Sequence, residues 1–94
     1  MANVGDSRLL CIHENGECLQ ITEDHKPNNA VEKERILRYG GEIYRNSFKT
    51  VDSSHNILGP WRVLPGKLAV SRSIGDYLIK KAKKGVVSAE PDIF

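Results

Sequence analysis

Two short apolar runs flank an Asn15-Gly16 pair: Leu9 to Ile12 on one side and Cys18 to Ile21 on the other. Asn-Gly between apolar runs is a strong hairpin signal, because a two-residue type I′ turn needs positive φ at both central positions. Such a turn sets Glu14 opposite Glu17, His13 opposite Cys18, Ile12 opposite Leu19, Cys11 opposite Gln20 and Leu10 opposite Ile21. Leu10, Ile12, Leu19 and Ile21 then share a face that must bury against another layer. The opposite face, with Leu9, Cys11, His13, Cys18 and Gln20, is mixed and reads as partly covered, so the strands belong to a sheet with layers on both sides. Met1 to Val4 reads as a strand that precedes this hairpin.

From Glu23 to Asn29 the chain is too polar for a strand, and Pro27 disfavours helix in the residue before it. A helix is predicted over about Ala30 to Tyr39. Asn29 serves as N-cap, with Glu32 placed to reach back to the cap amide, Glu34 and Arg38 form an i,i+4 pair, and Gly40-Gly41 supplies the stop. The stripe of Ala30, Val31, Ile36 and Leu37 is broad, so the caps define this helix more than its period does. Glu42 to Tyr44 reads as a short strand, and Arg45 to Pro60, without a period and rich in polar residues, as a long surface excursion. A second hairpin joins Trp61-Arg62-Val63 to Leu68-Ala69-Val70, with Pro65-Gly66 as the central pair of a type II turn. Ser71 is positioned to cap a helical segment beginning at Arg72, Val86-Val87 reads as strand, Ala89 to Asp92 as a turn and Ile93-Phe94 as strand. Strand-like residues at both ends predict an interior slice of a larger domain.

A hydrophobic fraction of 39% beside 28% charged residues fits one folded domain and argues against intrinsic disorder. The apolar runs are only a few residues long, so no membrane partner is expected, and no secretory signal opens the chain. The net charge of +2 is too slight to point to nucleic acid. In the two-residue register Cys11 and Cys18 are diagonal neighbours, at about 7 to 8 Å between α-carbons, which is at or beyond the limit for a disulfide. Two reduced thiols suit a cytoplasmic or nuclear location.

The candidate chemistry starts at Asn3-Val4-Gly5-Asp6-Ser7-Arg8, where glycine permits a sharp bend and the bend presents the Asp6 carboxylate at the end of a strand. The plainer alternative for Asp6 is an Asx-turn onto its own backbone. His25 reads as a hydrogen-bonded structural histidine, since no second ligand lies at metal spacing, and His13 and His55 are isolated. Ser71, Arg72 and Asp76 suggest a nucleophile, a cation and a carboxylate, but no base accompanies Ser71, so capping and an internal ion pair fit better. Arg72 is kept as a candidate on the substrate side, because an arginine fork suits phosphate. Trp61 reads as a packing residue and Lys80, Lys81, Lys83 and Lys84 as a solvated helix end; no interleaved aromatic residues make the latter a nucleic-acid surface.

Taken in order, Asn3 to Arg8, Asp24-His25-Lys26-Pro27, Glu34-Arg35-Ile36 with Gly40-Gly41, Arg62-Val63, Leu68 to Asp76 and Ala89-Glu90-Pro91-Asp92 resemble the metal-dependent protein phosphatases of type 2C, the PPM-type phosphatase domain. The resemblance implies an α+β fold that is part of an α/β/β/α sandwich of antiparallel sheets with outer helices. Residues 1–26 would supply sandwich strands, 27–70 the flap beside the cleft, with 45–60 as an insertion, and 71–94 the return to the sandwich. It also implies hydrolysis of phosphoserine and phosphothreonine in phosphoprotein substrates by a two-metal centre of Mg2+ or Mn2+. The family's acidic pair, its Asp-Gly-His-Gly-Gly motif, its later Asp-Gly and its Asp-Asn are absent from these 94 residues; Asp6 matches the aspartate that helps to hold a third metal. An incomplete domain is therefore expected, inactive alone and prone to self-association through exposed sheet edges. The alternative is a non-catalytic interaction module that binds phosphatase partners or substrates.

Overall fold

The computed structural model describes residues 1–94, and its best-specified element is helix α1 (Ala30–Arg38). Asn29 is the N-cap as expected, its side chain accepting from the Val31 N–H at 3.0 Å. At the other end Gly40 takes φ +85°, Gly40 N–H reaches Leu37 O and Gly41 N–H reaches Ile36 O, the paired bonds of a Schellman stop. Glu34 and Arg38 pair along the exposed side. Glu32 does not close a capping box; it is buried and engaged elsewhere.

Eight short strands pair antiparallel into four separate two-stranded sheets. They are β1 (Ala2–Asn3) with β8 (Asp92–Ile93), β2 (Leu10–Ile12) with β3 (Cys18–Gln20), β4 (Glu42–Tyr44) with β7 (Arg62–Leu64), and β5 (Ser47–Lys49) with β6 (Asn56–Leu58). The class is α+β. The core is small: Ile36 of α1, Val63 of β7, Val86 and Val87 are buried together, with Ile43, Leu68 and Ile79 packed around them. Gly41 lies where α1 meets this core, and a β-carbon there would sit 2.7 Å from Val86 Cγ1 and 3.0 Å from Leu64 O. The second glycine of the pair thus serves close approach, while the first serves the left-handed turn.

The first hairpin differs from its predicted register by one residue. Leu10 pairs with Gln20, Cys11 with Leu19 and Ile12 with Cys18. The loop has three residues, not two: Gly16 N–H bonds His13 O, His13 N–H bonds Glu17 O, Gly16 takes φ +87°, and Asn15 Oδ1 accepts from the Glu17 N–H. Asn15 therefore uses its side chain to close an Asx-turn and only Gly16 enters the left-handed region. Because side chains alternate, the slip separates Leu10 and Ile12 from Leu19. Each face of the hairpin now carries apolar residues. The cysteines fall on opposite faces, exposed and free, so no bridge forms for a reason stronger than the predicted distance.

Three further expectations change. Residues 45–60 are exposed as predicted for the most part, but they fold back as the β5–β6 hairpin, with Arg45 stacked on the Trp61 ring at 4.7 Å. The turn after β7 is closed by Lys67 N–H on Val63 O around a cis Leu64–Pro65 peptide, in place of a type II turn, and the returning strand is reduced to one bridge between Val63 and Leu68. The second helix, α2 (Tyr77–Ala82), begins after Asp76 at φ 50°, and Ser71 does not cap it. No helix is long and apolar enough to cross a membrane.

Candidate functional site: a pinned carboxylate turn

Gly5 follows β1 with φ +104°, a backbone conformation that favours glycine. Both of its backbone polar groups go to one residue: Gly5 N–H donates to His25 Nδ1 at 3.0 Å, and His25 N–H donates to Gly5 O at 2.9 Å. On either side of His25 the grip continues. Lys26 Nζ donates to Asp6 Oδ2 at 2.5 Å, and the Arg8 guanidinium forks onto Asp24 at 2.7 and 3.1 Å. The bond from Arg8 holds the Asp24 carboxyl below its ordinary range. Residues 24–26 thus hold residues 5–8 in register, and the half-exposed Asp6 carboxylate points out with an ammonium against it. It makes no Asx-turn bond.

His25 is 3% exposed, and its other nitrogen donates to Asp92 Oδ2 at 2.8 Å. With Gly5 N–H directed at Nδ1, the ring proton belongs on Nε2. His25 is therefore structural, as its motif suggested. Asp92 faces two donors: the hydrogen bond from His25 and that from Arg72 Nη1 hold its carboxyl below the ordinary value against an opposing burial effect.

Arg72 continues the chain of contacts inward. Its Nε and Nη2 meet Glu32 Oε1 and Oε2 at 2.8 and 2.9 Å, a bidentate fork, while Nη1 bonds Asp92 Oδ1 and Glu90 O. Ser71 Oγ and Arg35 Nη1 also donate to Glu32 Oε1, at 2.7 and 2.9 Å. Arg35 further bonds the carbonyls of Ser71, Gly85 and Val86. Burial alone would raise the Glu32 carboxyl, but the bonds from Arg72, Ser71 and Arg35 outweigh it and bring the carboxyl from 4.5 down to about 2. Ser71 consequently faces a weak base and is not activated as a nucleophile. The internal ion pair expected for Arg72 exists, with Glu32 and Asp92 as partners in place of Asp76.

A pH dependence follows. A carboxyl depressed from 4.5 to about 2 adds stability that is complete above 4.5 and is lost as pH falls through about 2. At about 1.4 kcal/mol per pH unit the full effect is about 3 kcal/mol. The urea midpoint of the full-length protein is expected to stay level from pH 7 to 5 and to fall below pH 4.5, with a shallower fall in Glu32→Gln. Equal acid slopes in the two proteins would remove Glu32 as the cause.

No group of three or more His, Cys, Asp or Glu side chains is arranged to hold a metal ion. Asp6 supplies one oxygen donor of the hard kind that divalent magnesium or manganese takes, and the ammonium of Lys26 occupies the position of a cation beside it. The lysine cluster is divided among other tasks: Lys80 bonds Ser73 O, Lys83 bonds Gly40 O, and Lys81 lies over Tyr77. Glu32, expected only as a capping-box partner, and Arg35 and Asp92, expected only as parts of short motifs, turn out to form the buried network. A signal was present, since Glu32 and Ile36 are four apart on one helical face and burial of one implies burial of the other.

This α+β segment, with its carboxylate on a turn held by a buried histidine, falls in the protein phosphatase class, for a family model described as Protein phosphatase 2C matches residues 1–94. The chain belongs to the protein phosphatase 2C family. It is 42% identical over 93 residues to Protein phosphatase 1L of Bos taurus, covering 99% of the chain and 22% of that protein. It is 41% identical over 76 residues to Putative protein phosphatase 2C 22 of Oryza sativa subsp. japonica (79% and 13%), and 40% over 93 residues to Probable protein phosphatase 2C 69 of Arabidopsis thaliana (99% and 21%). The chain thus spans about a fifth or less of the length of these curated relatives.

Proposed function

We propose that these residues form the central part of a metal-dependent protein serine/threonine phosphatase that hydrolyses phosphoserine and phosphothreonine in proteins. The family match over the whole chain carries this reading. Within it, residues 1–26 and 71–94 contribute strands to an α/β/β/α sandwich and 27–70 form the flap, with α1 at its base. Asp6 is one ligand of a weak Mg2+ or Mn2+ site beside a two-metal centre whose other ligands lie outside these residues. Bound metal would supply a nucleophilic hydroxide and neutralise charge on the phosphoryl group. The chain's own part is to hold the Asp6 carboxylate by its Gly5 turn and to balance it with Lys26 until metal arrives. Arg72 supports the site from inside; a direct role toward the substrate phosphate would require its fork to leave Glu32.

The test is Mn2+-dependent hydrolysis of a phosphothreonine peptide by the full-length protein. Asp6→Asn is expected to lower the rate and raise the Mn2+ concentration needed, each by about tenfold or more, in the range found when a metal's supporting groups are changed. The 94-residue chain alone is expected to show no turnover. An unchanged Mn2+ requirement in Asp6→Asn would sink the assignment of Asp6. The second reading, a non-catalytic interaction module, predicts a full-length protein without Mn2+-dependent hydrolysis.

A further inference from the structure

We infer that His25 is a positioning residue for Asp6, and that it works through its Nε2–H tautomer, fixed by Asp92. The inference rests on the reading of Asp6 as a metal ligand. Its observations are geometric. His25 is the one residue that meets both the N–H and the C=O of Gly5, the residue that precedes Asp6. An imidazole can accept the Gly5 N–H only through an unprotonated Nδ1, so its proton must sit on Nε2. Asp92 Oδ2, at 2.8 Å from Nε2, selects that tautomer. Asp92 is in turn fixed by Arg72, and Arg72 by Glu32 on α1. A continuous run of hydrogen bonds therefore links α1 through Arg72, Asp92 and His25 to the turn that carries Asp6. Gly5 makes the turn tight, and the histidine makes it single-valued: with both backbone groups of Gly5 held, the direction in which Asp6 leaves the strand is set before any metal binds. Pre-setting a ligand in this way is what outer partners of metal ligands do.

Two substitutions separate positioning from plain stability. The amide of His25→Asn lies where Nδ1 lies and can still accept from Gly5; that of His25→Gln lies where Nε2 lies and keeps only Asp92. Both lose the ring and its packing, so a role in stability alone moves them together. Mn2+ binding to the full-length protein, followed by the electron paramagnetic resonance of free Mn2+, is expected to weaken about tenfold at the Asp6-dependent step in His25→Gln and by no more than about twofold in His25→Asn. Equal weakening in the two variants, or none in His25→Gln, overturns the inference. Asp6→Asn is the reference: if it removes no binding step, the metal reading of Asp6 fails and the inference with it, whereas a step lost in Asp6→Asn and unmoved in His25→Gln rejects the histidine alone. Should the variants not fold, the wild-type protein still decides. Nitrogen-15 histidine spectra at neutral pH are expected to place the His25 proton on Nε2, and a proton on Nδ1 would overturn the proposal.

Discussion

Replacing Glu32 with alanine is expected to destabilise the full-length protein by about 3–5 kcal/mol, the usual consequence of removing one partner from a buried ion pair. Glu32 is 2% exposed and accepts from Arg35, Ser71 and both sides of the Arg72 fork. Its loss leaves two largely buried guanidinium groups facing a cavity. Neither can shed its proton, so the uncompensated charge persists. Arg35 still holds the carbonyls of Ser71, Gly85 and Val86, and Arg72 still holds Asp92, which is why the effect stays below complete unfolding of a large domain. Adding Arg72→Met to Glu32→Ala is expected to restore part of the loss, because the two residues act as a unit. Urea denaturation of the two single variants and the double variant measures this directly. A Glu32→Ala protein within about 0.5 kcal/mol of the wild type would show that water replaces the carboxylate at little cost.

The 94 residues taken alone are expected to associate at micromolar concentration and to unfold without a sharp transition. Their radius of gyration is 16.1 Å, whereas a compact chain of this length has about 12 Å. Their accessible surface is 6605 Å2, against about 5,400 Å2 for a folded monomer of 10.5 kDa. The excess is apolar in part: Leu10, Ile12 and Leu19 of the first hairpin are all near half exposed or more, and the observed register puts apolar side chains on both of its faces. Four buried aliphatic residues are a small core for so long a chain. Two-stranded sheets are marginal by themselves, and each offers open edges to another copy. Sedimentation velocity over a hundredfold range of concentration, with thermal unfolding at each, is the check. A monomer throughout with one steep, concentration-independent melt would refute the expectation.

Local signals decided the ends of α1, although the caps expected of Ser71 and Glu32 do not form. Asn29, Gly40 and the Glu34–Arg38 pair set α1 to within a residue of its ends. The hairpin was also legible, but its register was not, because Asn15 has two ways to serve a turn. It can adopt positive φ itself or bond the Glu17 amide with its side chain, and the second choice shifts every pair by one. The candidate site divides in the same way. Asp6 on a glycine turn and His25 as a structural histidine were visible from short motifs. The buried partnership of Glu32 with Arg72 was not, because 40 residues separate them and either could have been an ordinary surface charge. Only packing brings them together, with Asp92 a further 20 residues along.

The pairing of β1 with β8 places Asn3 opposite Asp92 and Ala2 opposite Ile93, while Phe94 N–H bonds Met1 O. Residues 2–3 therefore lie beside residues 92–93, and this short pairing sits next to the Asp6 turn and the Asp92 carboxylate. Asp92 stands in β8 itself, so a change that loosens this pairing would reach the His25 ring and, through it, the Gly5 turn.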